Sequence, residues 1–143
     1  MFNVRISTHA LQRIAIHTRK PYEQIGLLLG NFANQELNIF DTVEGGGQAN
    51  DMMSIFSPQS MAHIAQGIMA GRVQGNIVGW YHSHIRGGIF MSDIDIQTQL
   101  KLQQFSPYIV ALVIDPQENE FGIFTYSSHT GIMQIPENQI IVY

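Results

Sequence analysis

A histidine pair at the end of one predicted strand, followed by a Ser-x-x-Asp motif at the start of a predicted helix, constrains this fold most strongly. The apolar residues before the histidines predict a strand from Asn76 to His84. Side chains two positions apart in a strand point to the same face, so His82 and His84 can reach one ion. The segment from Ile85 to Met91 contains two adjacent glycines and is predicted to be the loop that leads into the helix.

Ser92 is predicted to be the N-cap of that helix, and Asp95 falls in its first turn. Ser-x-x-Asp on its own is typical of helix capping, and His-x-His on its own is weak evidence for a metal. The combination, on a strand end and a helix start joined by a glycine loop, is typical of a zinc site. His82, His84 and Asp95 are the predicted ligands, with water in the fourth position.

The order and spacing of these residues resemble the signature of the JAMM (MPN+) metalloprotease family: His82, one residue, His84, seven residues, Ser92, two residues, Asp95. The segment from Glu23 to Gly30 is similar to the glutamate-bearing strand of that family. The sequence Gly-Trp-Tyr-His-Ser-His most resembles the proteasome-lid and signalosome deubiquitinases. The resemblance implies the MPN fold, an α/β fold like that of cytidine deaminases, with a mixed sheet flanked by helices.

The resemblance also implies an activity, zinc-dependent cleavage after the C-terminal Gly-Gly of ubiquitin or a ubiquitin-like modifier. Glu23 would be the general base, and Ser92 would donate a hydrogen bond to the oxyanion. The implied partners are ubiquitin-like conjugates and a complex such as the proteasome. One position differs from many relatives, because Ile85 stands where they carry proline.

The substrate tail is expected to lie along a groove and to add as a strand beside an exposed edge. The expected lining residues are Trp80 and the start of a glycine-rich loop, namely Glu44, Gly45, Gly46 and Gly47. Two alternatives remain open at this stage. Trp80 is equally typical of a core aromatic on a central strand, and three successive glycines are also typical of a slack connection.

Other functions also remain open. The same zinc site would serve a hydrolase of sulfur-carrier proteins or of small amides. A non-catalytic MPN scaffold is a further alternative, although such domains typically lack these ligands. A serine hydrolase using Ser83 or Ser92 is poorly supported, because no Gly-x-Ser-x-Gly elbow is present.

Hydrophobic periodicity and capping signals predict the remaining elements. Strands are expected at Ile25–Phe32, Leu37–Val43, Met52–Phe56, Tyr108–Ile114, Phe121–Tyr126, Ile132–Ile135 and Ile140–Tyr143, and helices from Ser7 to about Lys20, from Ser57 to about Gly71 and from Ser92 to about Gln104. The last helix carries apolar residues around its circumference and is expected to be covered on several sides. His9, His17 and His63 are expected at the surface or its boundary.

Composition narrows the function classes further. The chain has 143 residues, which favours one domain over residues 1–143. By its resemblance to the family, this domain would correspond to the catalytic core. Its net charge is −4 with only seven Lys and Arg, so nucleic acid is not expected as a partner. The longest apolar runs, around Leu27 and Ala111, are too short to span a bilayer, so no membrane is expected either. There is no cysteine, hence no disulfide, thiolate ligand or cysteine nucleophile. No signal-peptide pattern opens the sequence, and a cytoplasmic location is expected.

Overall fold

The computed structural model of the chain describes residues 2–45, 58–104 and 106–143. Within these ranges the strands are β1 (Asn3–Ile6), β2 (Ile25–Ala33), β3 (Glu36–Glu44), β4 (Asn76–Ser83), β5 (Val110–Asp115), β6 (Glu120–Ser127), β7 (Gly131–Gln134) and β8 (Ile140–Val142). The α-helices are α1 (Thr8–His17), α2 (Pro58–Met69) and α3 (Asp93–Gln103). The predicted strand at Met52–Phe56 and the predicted site residues Gly46 and Gly47 lie outside the described residues.

All eight of these strands form one mixed sheet in the order β7-β6-β5-β4-β2-β3-β1-β8. The central hairpin of β2 and β3 is antiparallel, as is the pairing of β2 with β4. In contrast, β4 and β5 are parallel, and β1 pairs in parallel with both β3 and β8. The predicted fold class, a mixed sheet flanked by helices, is therefore confirmed.

The sheet separates two apolar clusters, one on each face. The first cluster contains Ala10 and Ile14 of α1 together with Leu28 and Tyr81 of the central strands. The second contains strand residues from the opposite face and residues of the other two helices, including Leu27, Trp80, Ile64 and Leu102. Alternation along β2 and β4 explains the division, since neighbouring residues in a strand point to opposite faces.

The segment from β4 through α3 to β5 is a parallel crossover, and it determines where a site can form. Parallel strands joined by a helix end at the same edge of the sheet, and the connecting helix begins above that edge. Loops at the carboxyl ends of such strands are common binding sites. His82 is the last residue but one of β4 and His84 directly follows the strand, while α3 begins after nine intervening residues. The crossover therefore brings the two histidines and the start of α3 to one edge of the sheet.

Both of the predicted serine N-caps that can be assessed are confirmed. The side chain of Ser7 accepts a hydrogen bond from the backbone N–H of Ala10 at 3.0 Å, and α1 then ends at His17, earlier than predicted. The side chain of Ser92 accepts a hydrogen bond from the N–H of Asp95 at 3.2 Å. Each bond satisfies one donor of a first helical turn that has no partner within the helix.

One histidine prediction is wrong. His17 is buried, with 4% of its surface exposed, and its Nδ1 lies 2.6 Å from the hydroxyl of Tyr81. Burial lowers the pKa of His17 and raises the pKa of Tyr81, so both side chains are favoured in their neutral forms. The Tyr81 hydroxyl then donates to His17 Nδ1. The helical periodicity of α1 places His17 on the face that packs on the sheet, and the hydrogen bond from Tyr81 satisfies one ring nitrogen.

The expectation that α3 is covered on several sides is also wrong. Ile94 and Leu100 are 65% and 38% exposed, while Leu102 is buried. The inner face of this helix is occupied instead by the polar residues Asp95 and Gln99, both buried. None of the described helices is long and apolar enough to cross a membrane.

Candidate metal centre

Three potential ligand atoms meet at the edge formed by β4 and α3. His82 Nε2 lies 2.9 Å from Asp95 Oδ2, His84 Nε2 lies 3.2 Å from the same oxygen, and the two Nε2 atoms are 3.1 Å apart. Asp95 is carried by α3, whereas both histidines project from the end of β4. The sequence prediction that these three residues converge agrees with this geometry.

The donor set fits a zinc ion. Ligands at 2.0–2.1 Å from a tetrahedral ion lie about 3.3 Å apart, and the three separations are close to this value. Two imidazole nitrogens and one carboxylate oxygen are ordinary zinc ligands. All three residues are at least 94% buried, so a cation here would be held by protein groups with little competition from bulk water.

The orientation of His84 is fixed by the backbone. Its Nδ1 lies 3.2 Å from the carbonyl oxygen of Gly88, and an N–H donated to that oxygen leaves the lone pair of Nε2 free for a metal. Gly88 has φ of +81°, a conformation that favours glycine. The centroid of the Phe90 ring lies 4.6 Å from that of the His84 ring, and the two planes are inclined by 52°.

Asp95 joins the metal centre to the cap of α3. Its Oδ2, the oxygen that faces both histidines, also accepts a hydrogen bond from the backbone N–H of Ser92 at 2.9 Å. Together with the reverse bond from Asp95 N–H to Ser92 Oγ, this makes a capping box. The structural and metal-binding interpretations of Ser-x-x-Asp are therefore compatible, because one carboxylate serves both.

Electrostatics of the cluster favour a cation. Burial works against ionisation of Asp95, but hydrogen bonds from the two histidines outweigh it and hold the pKa of this carboxyl well below its usual range. Burial likewise opposes protonation of His84, yet the hydrogen bond to Asp95 and its negative charge raise the pKa of His84. The field that stabilises a proton on this imidazole would equally stabilise a bound metal cation.

Glu23 stands beside the cluster on the segment before β2. That segment is fastened to the end of β4 by two hydrogen bonds, from Gln24 N–H to Ser83 Oγ at 2.8 Å and from Ser83 N–H to Gln24 O at 3.0 Å. The Glu23 side chain is exposed, and its charge contributes to the raised pKa of His84. The charge of Glu23 thus acts on His84, whereas the three converging ligand atoms belong to other residues.

Ser83, in contrast, has no exposed surface, and its hydroxyl is occupied by Gln24. This burial removes Ser83 as a nucleophile. Ser92 is partly exposed, and no hydrogen-bond acceptor for its hydroxyl proton is found within the described part of the chain. Its oxygen accepts the capping bond, so the proton remains available to another group.

Two of the predicted substrate-binding residues lie elsewhere. Trp80 has no exposed surface, so its burial supports the core alternative and corrects the expectation that it lines a groove. Glu44 pairs with Gly26, which also pairs with Tyr81, so its side chain lies on the α1 side of the sheet. The charge of Glu44 acts there to raise the pKa of Tyr81, after the larger effect of burial. The structure does not bring Glu44 to the metal centre.

Gly45 is closer to the predicted site. Its N–H donates to the carbonyl oxygen of Ile25 at 2.9 Å, which extends the pairing of β2 and β3 by one position. Ile25 pairs across the sheet with His82. The glycine-rich loop therefore starts beside the strand position opposite a proposed ligand.

Sequence reasoning missed Gln99. This side chain is fully buried one helical turn after Asp95, and its Oε1 accepts a hydrogen bond from Trp80 Nε1 at 2.8 Å. A polar residue four positions after a ligand on the same helix was the available signal, since positions i and i+4 share a face.

The family is settled by comparison with known proteins. Residues 1–108 match the family model described as JAB1/Mov34/MPN/PAD-1 ubiquitin protease. The chain belongs to this family. The matched range includes every residue of the metal centre, together with Glu23 and the capping serine, so the resemblance inferred from the motif is confirmed.

Named members of the family match most of this chain. It is 34% identical over 127 residues to ubiquitin carboxyl-terminal hydrolase RPN11 of Saccharomyces cerevisiae, which covers 83% of this chain and 40% of that protein. It is also 34% identical over 119 residues to COP9 signalosome complex subunit 5a of Arabidopsis thaliana, covering 79% and 33%. The chain spans less than half the length of these relatives.

Proposed function

We propose that this chain is a zinc-dependent isopeptidase that cleaves after the C-terminal Gly-Gly of ubiquitin or a ubiquitin-like modifier. The observation that carries the proposal is the convergence of His82 Nε2, His84 Nε2 and Asp95 Oδ2 within 3.2 Å of one another. Residues 1–143 would form one catalytic domain. The complete ligand set argues against a non-catalytic scaffold.

The reaction needs a stronger nucleophile than free water and a protonated leaving amine. A zinc ion held by the three ligands would lower the pKa of a water molecule and polarise the scissile carbonyl. Glu23 accepts the proton of the attacking water and returns it to the departing amine. The Glu23 side chain is exposed and its charge acts on His84, which supports this assignment.

Ser92 stabilises the charge that develops during the attack. Its hydroxyl accepts the capping bond from Asp95 N–H while its own proton points to another acceptor, which we propose is the oxyanion of the tetrahedral intermediate. The capping box fixes the serine relative to Asp95, and hence relative to the ligands. Such a preorganised donor favours the transition state over the bound substrate.

A ubiquitin-like tail is the substrate that we propose from the family. Relatives are named as a ubiquitin hydrolase and as a subunit of the COP9 signalosome. An extended Gly-Gly tail has no side chains to exclude it from a narrow path, and it can pair with an exposed backbone. Gly45 donates to the carbonyl oxygen of Ile25, the residue opposite His82, and this supports a tail path that passes the start of the glycine-rich loop.

Substituting Glu23→Gln tests the proposed base. The amide keeps the size of the side chain but cannot take a proton, so single-turnover cleavage of a ubiquitin–lysine isopeptide should fall roughly 10²–10⁴-fold. Zinc content and conjugate affinity should remain at the level of the unsubstituted chain. Glu118→Gln, the same change at an exposed turn, is the matched control and should leave all three measurements unchanged.

The substrate class is tested on the same preparation. The ratio of kcat/KM for a ubiquitin–lysine conjugate to that for a short unconjugated amide should be far above one, because remote contacts with the modifier contribute to transition-state binding. Equal values would favour the alternative of a small-amide hydrolase, and preference for a thiocarboxylate-type carrier protein would favour a sulfur-carrier hydrolase. Loss of zinc in Glu23→Gln would mean that Glu23 supports the ligands instead of moving the proton.

A further inference from the structure

An amide network extends from α3 beneath the proposed metal centre. Gln99 Oε1 accepts from Trp80 Nε1 at 2.8 Å. Gln99 Nε2 donates to the backbone oxygen of Ile109 at 2.7 Å and to Gln103 Oε1 at 2.8 Å. Both amide hydrogens and the amide oxygen of this fully buried side chain are therefore used, which fixes its orientation.

The network is anchored at its far end to the sheet. Gln103 Nε2 donates to the backbone oxygen of Tyr126 at 3.1 Å, and Gln103 Oε1 accepts from the backbone N–H of the same residue at 3.1 Å. Tyr126 lies in β6, and Ile109 lies just before β5. Two glutamines of one helix thus connect the indole of Trp80 to the backbone of two regions of the sheet.

Trp80 in turn lies against a proposed ligand. Its ring centroid is 4.6 Å from that of His82, and the two planes are inclined by only 14°, a stacked arrangement. The Nδ1 atom of His82 is buried and has no hydrogen-bond partner among the described residues. His84 has the carbonyl of Gly88 for this purpose. The two ligands are therefore oriented by different means.

We propose that Gln99 is a positioning residue for the metal centre, acting on His82 through Trp80. Gln99 holds the indole in one orientation, and the indole face holds the imidazole plane so that Nε2 points to the shared position. Gln99 and Asp95 lie one turn apart on α3, so the same helix supplies one ligand and orients another. The inference rests on the proposed metal site, but not on the identity of the substrate.

The experiment measures metal affinity and the orientation of Trp80, neither of which requires turnover. Trp80 is the only tryptophan of the chain, so the near-ultraviolet circular dichroism of indole reports on it alone. Zinc affinity is measured by competition with a chromophoric chelator. The variant is Gln99→Met, which has similar length and no hydrogen-bonding groups, and the matched control is Gln97→Met on the exposed side of the same helix.

We expect Gln99→Met to weaken zinc binding about 10- to 100-fold, the usual effect of losing support for a ligand, and to reduce the indole dichroism band. Gln97→Met should change neither. Trp80→Phe keeps an aromatic ring but has no N–H for Gln99 to hold, and it should weaken zinc binding about 10-fold. This second variant leaves the bonds of Gln99 to Ile109 and Gln103 intact, so it tests the proposal even where Gln99→Met does not fold.

A double-mutant cycle shows whether Gln99 acts through Trp80. In the Trp80→Phe background, Gln99→Met should cause little further loss of zinc affinity. Wild-type affinity in Gln99→Met or in Trp80→Phe, or an undiminished loss in the double variant, would overturn the inference. If the unsubstituted chain itself binds no zinc, the proposed function fails instead, and this outcome is distinguishable from the others.

Discussion

Ser92 caps α3 and is also the residue that we propose as the hydrogen-bond donor to the oxyanion. Its oxygen accepts the N–H of Asp95, while the Asp95 carboxylate accepts the N–H of Ser92 and faces both histidines. Ser7 provides a comparison within the same chain, because it caps α1 by an equivalent bond to Ala10 and lies away from the metal centre. Comparing the two serines therefore allows the capping role to be tested separately from the catalytic role proposed for Ser92.

Ser92→Ala should therefore lose more than stability. Removal of either cap should lower the free energy of unfolding by about 0.5–2 kcal/mol. Only Ser92→Ala should also reduce turnover of a ubiquitin conjugate, by roughly 10²–10³-fold, since only this hydroxyl is proposed to reach the oxyanion. The measurements are urea unfolding and single-turnover cleavage. Similar turnover in Ser92→Ala and Ser7→Ala would limit Ser92 to its structural role.

His17 provides a test by pH. Its pKa is lowered in the folded chain, chiefly by burial and against the opposing charge of Glu44. Below about pH 6.5 the unfolded chain binds a proton at this position that the folded chain binds less readily. The stability that His17 contributes should therefore be complete above about pH 6.5 and decrease as the pH falls through the interval down to its lowered pKa.

The measurement is the difference in free energy of unfolding between the unsubstituted chain and His17→Gln, taken from urea titrations between about pH 5 and pH 8. Subtracting the free energy of unfolding of the variant at each pH removes the contributions that other titrating groups make to both proteins. The difference should shrink towards low pH. A difference that grows on acidification would contradict the assigned neutral pair of His17 and Tyr81.

At the scale of elements, two neighbouring residue pairs of β2 and β4 face opposite sides of the sheet. Gly26 lies opposite Tyr81, and a Cβ atom added to Gly26 would overlap atoms of the tyrosine ring. The ring cannot move freely because its hydroxyl is held by His17. The neighbouring pair on the same strands, Ile25 and His82, faces the metal centre.

Gly26→Ala should consequently destabilise the chain by about 1–3 kcal/mol, the usual range for added volume in a filled core. Gly87→Ala is a suitable control, because its added Cβ would meet Phe90 and His84 at 3.4–3.5 Å, an ordinary contact distance. Chemical unfolding of the two variants provides the comparison. An equal, small effect in both would mean that the Tyr81 ring is not fixed where the structure has it.

The elements near the site were predictable because their signals are local. A continuous apolar run indicated β2, and β3 was expected as its hairpin partner. The apolar residues before the histidines indicated β4, Ser92 indicated the start of α3, and ligand spacing indicated the metal cluster. Three features were not predictable in this way. The burial of His17, the exposure of Ile94 and the support of Trp80 by Gln99 depend on which element packs on which face of the sheet. Those are contacts between distant parts of the chain.

At the scale of the whole molecule, the two faces of the sheet contain different groups of interacting residues. One face, with α1, holds the apolar cluster around Ile14 and Leu28 and the neutral pair of His17 with Tyr81. The other holds the ligands, the capping box and the amide network of α3. Strand order, including the parallel pairing of β4 with β5, decides this division. Periodicity along the chain predicts the strands but not their order.

The central claim is that the three converging side chains bind one zinc ion on which hydrolysis depends. Its most direct test is the metal content of an active preparation, determined by elemental analysis alongside cleavage of a ubiquitin conjugate. We predict about one zinc per chain, loss of activity in proportion to zinc removed by a chelator, and recovery when zinc is returned. Asp95→Asn should lose zinc and activity together. A fully active preparation without metal would contradict the account.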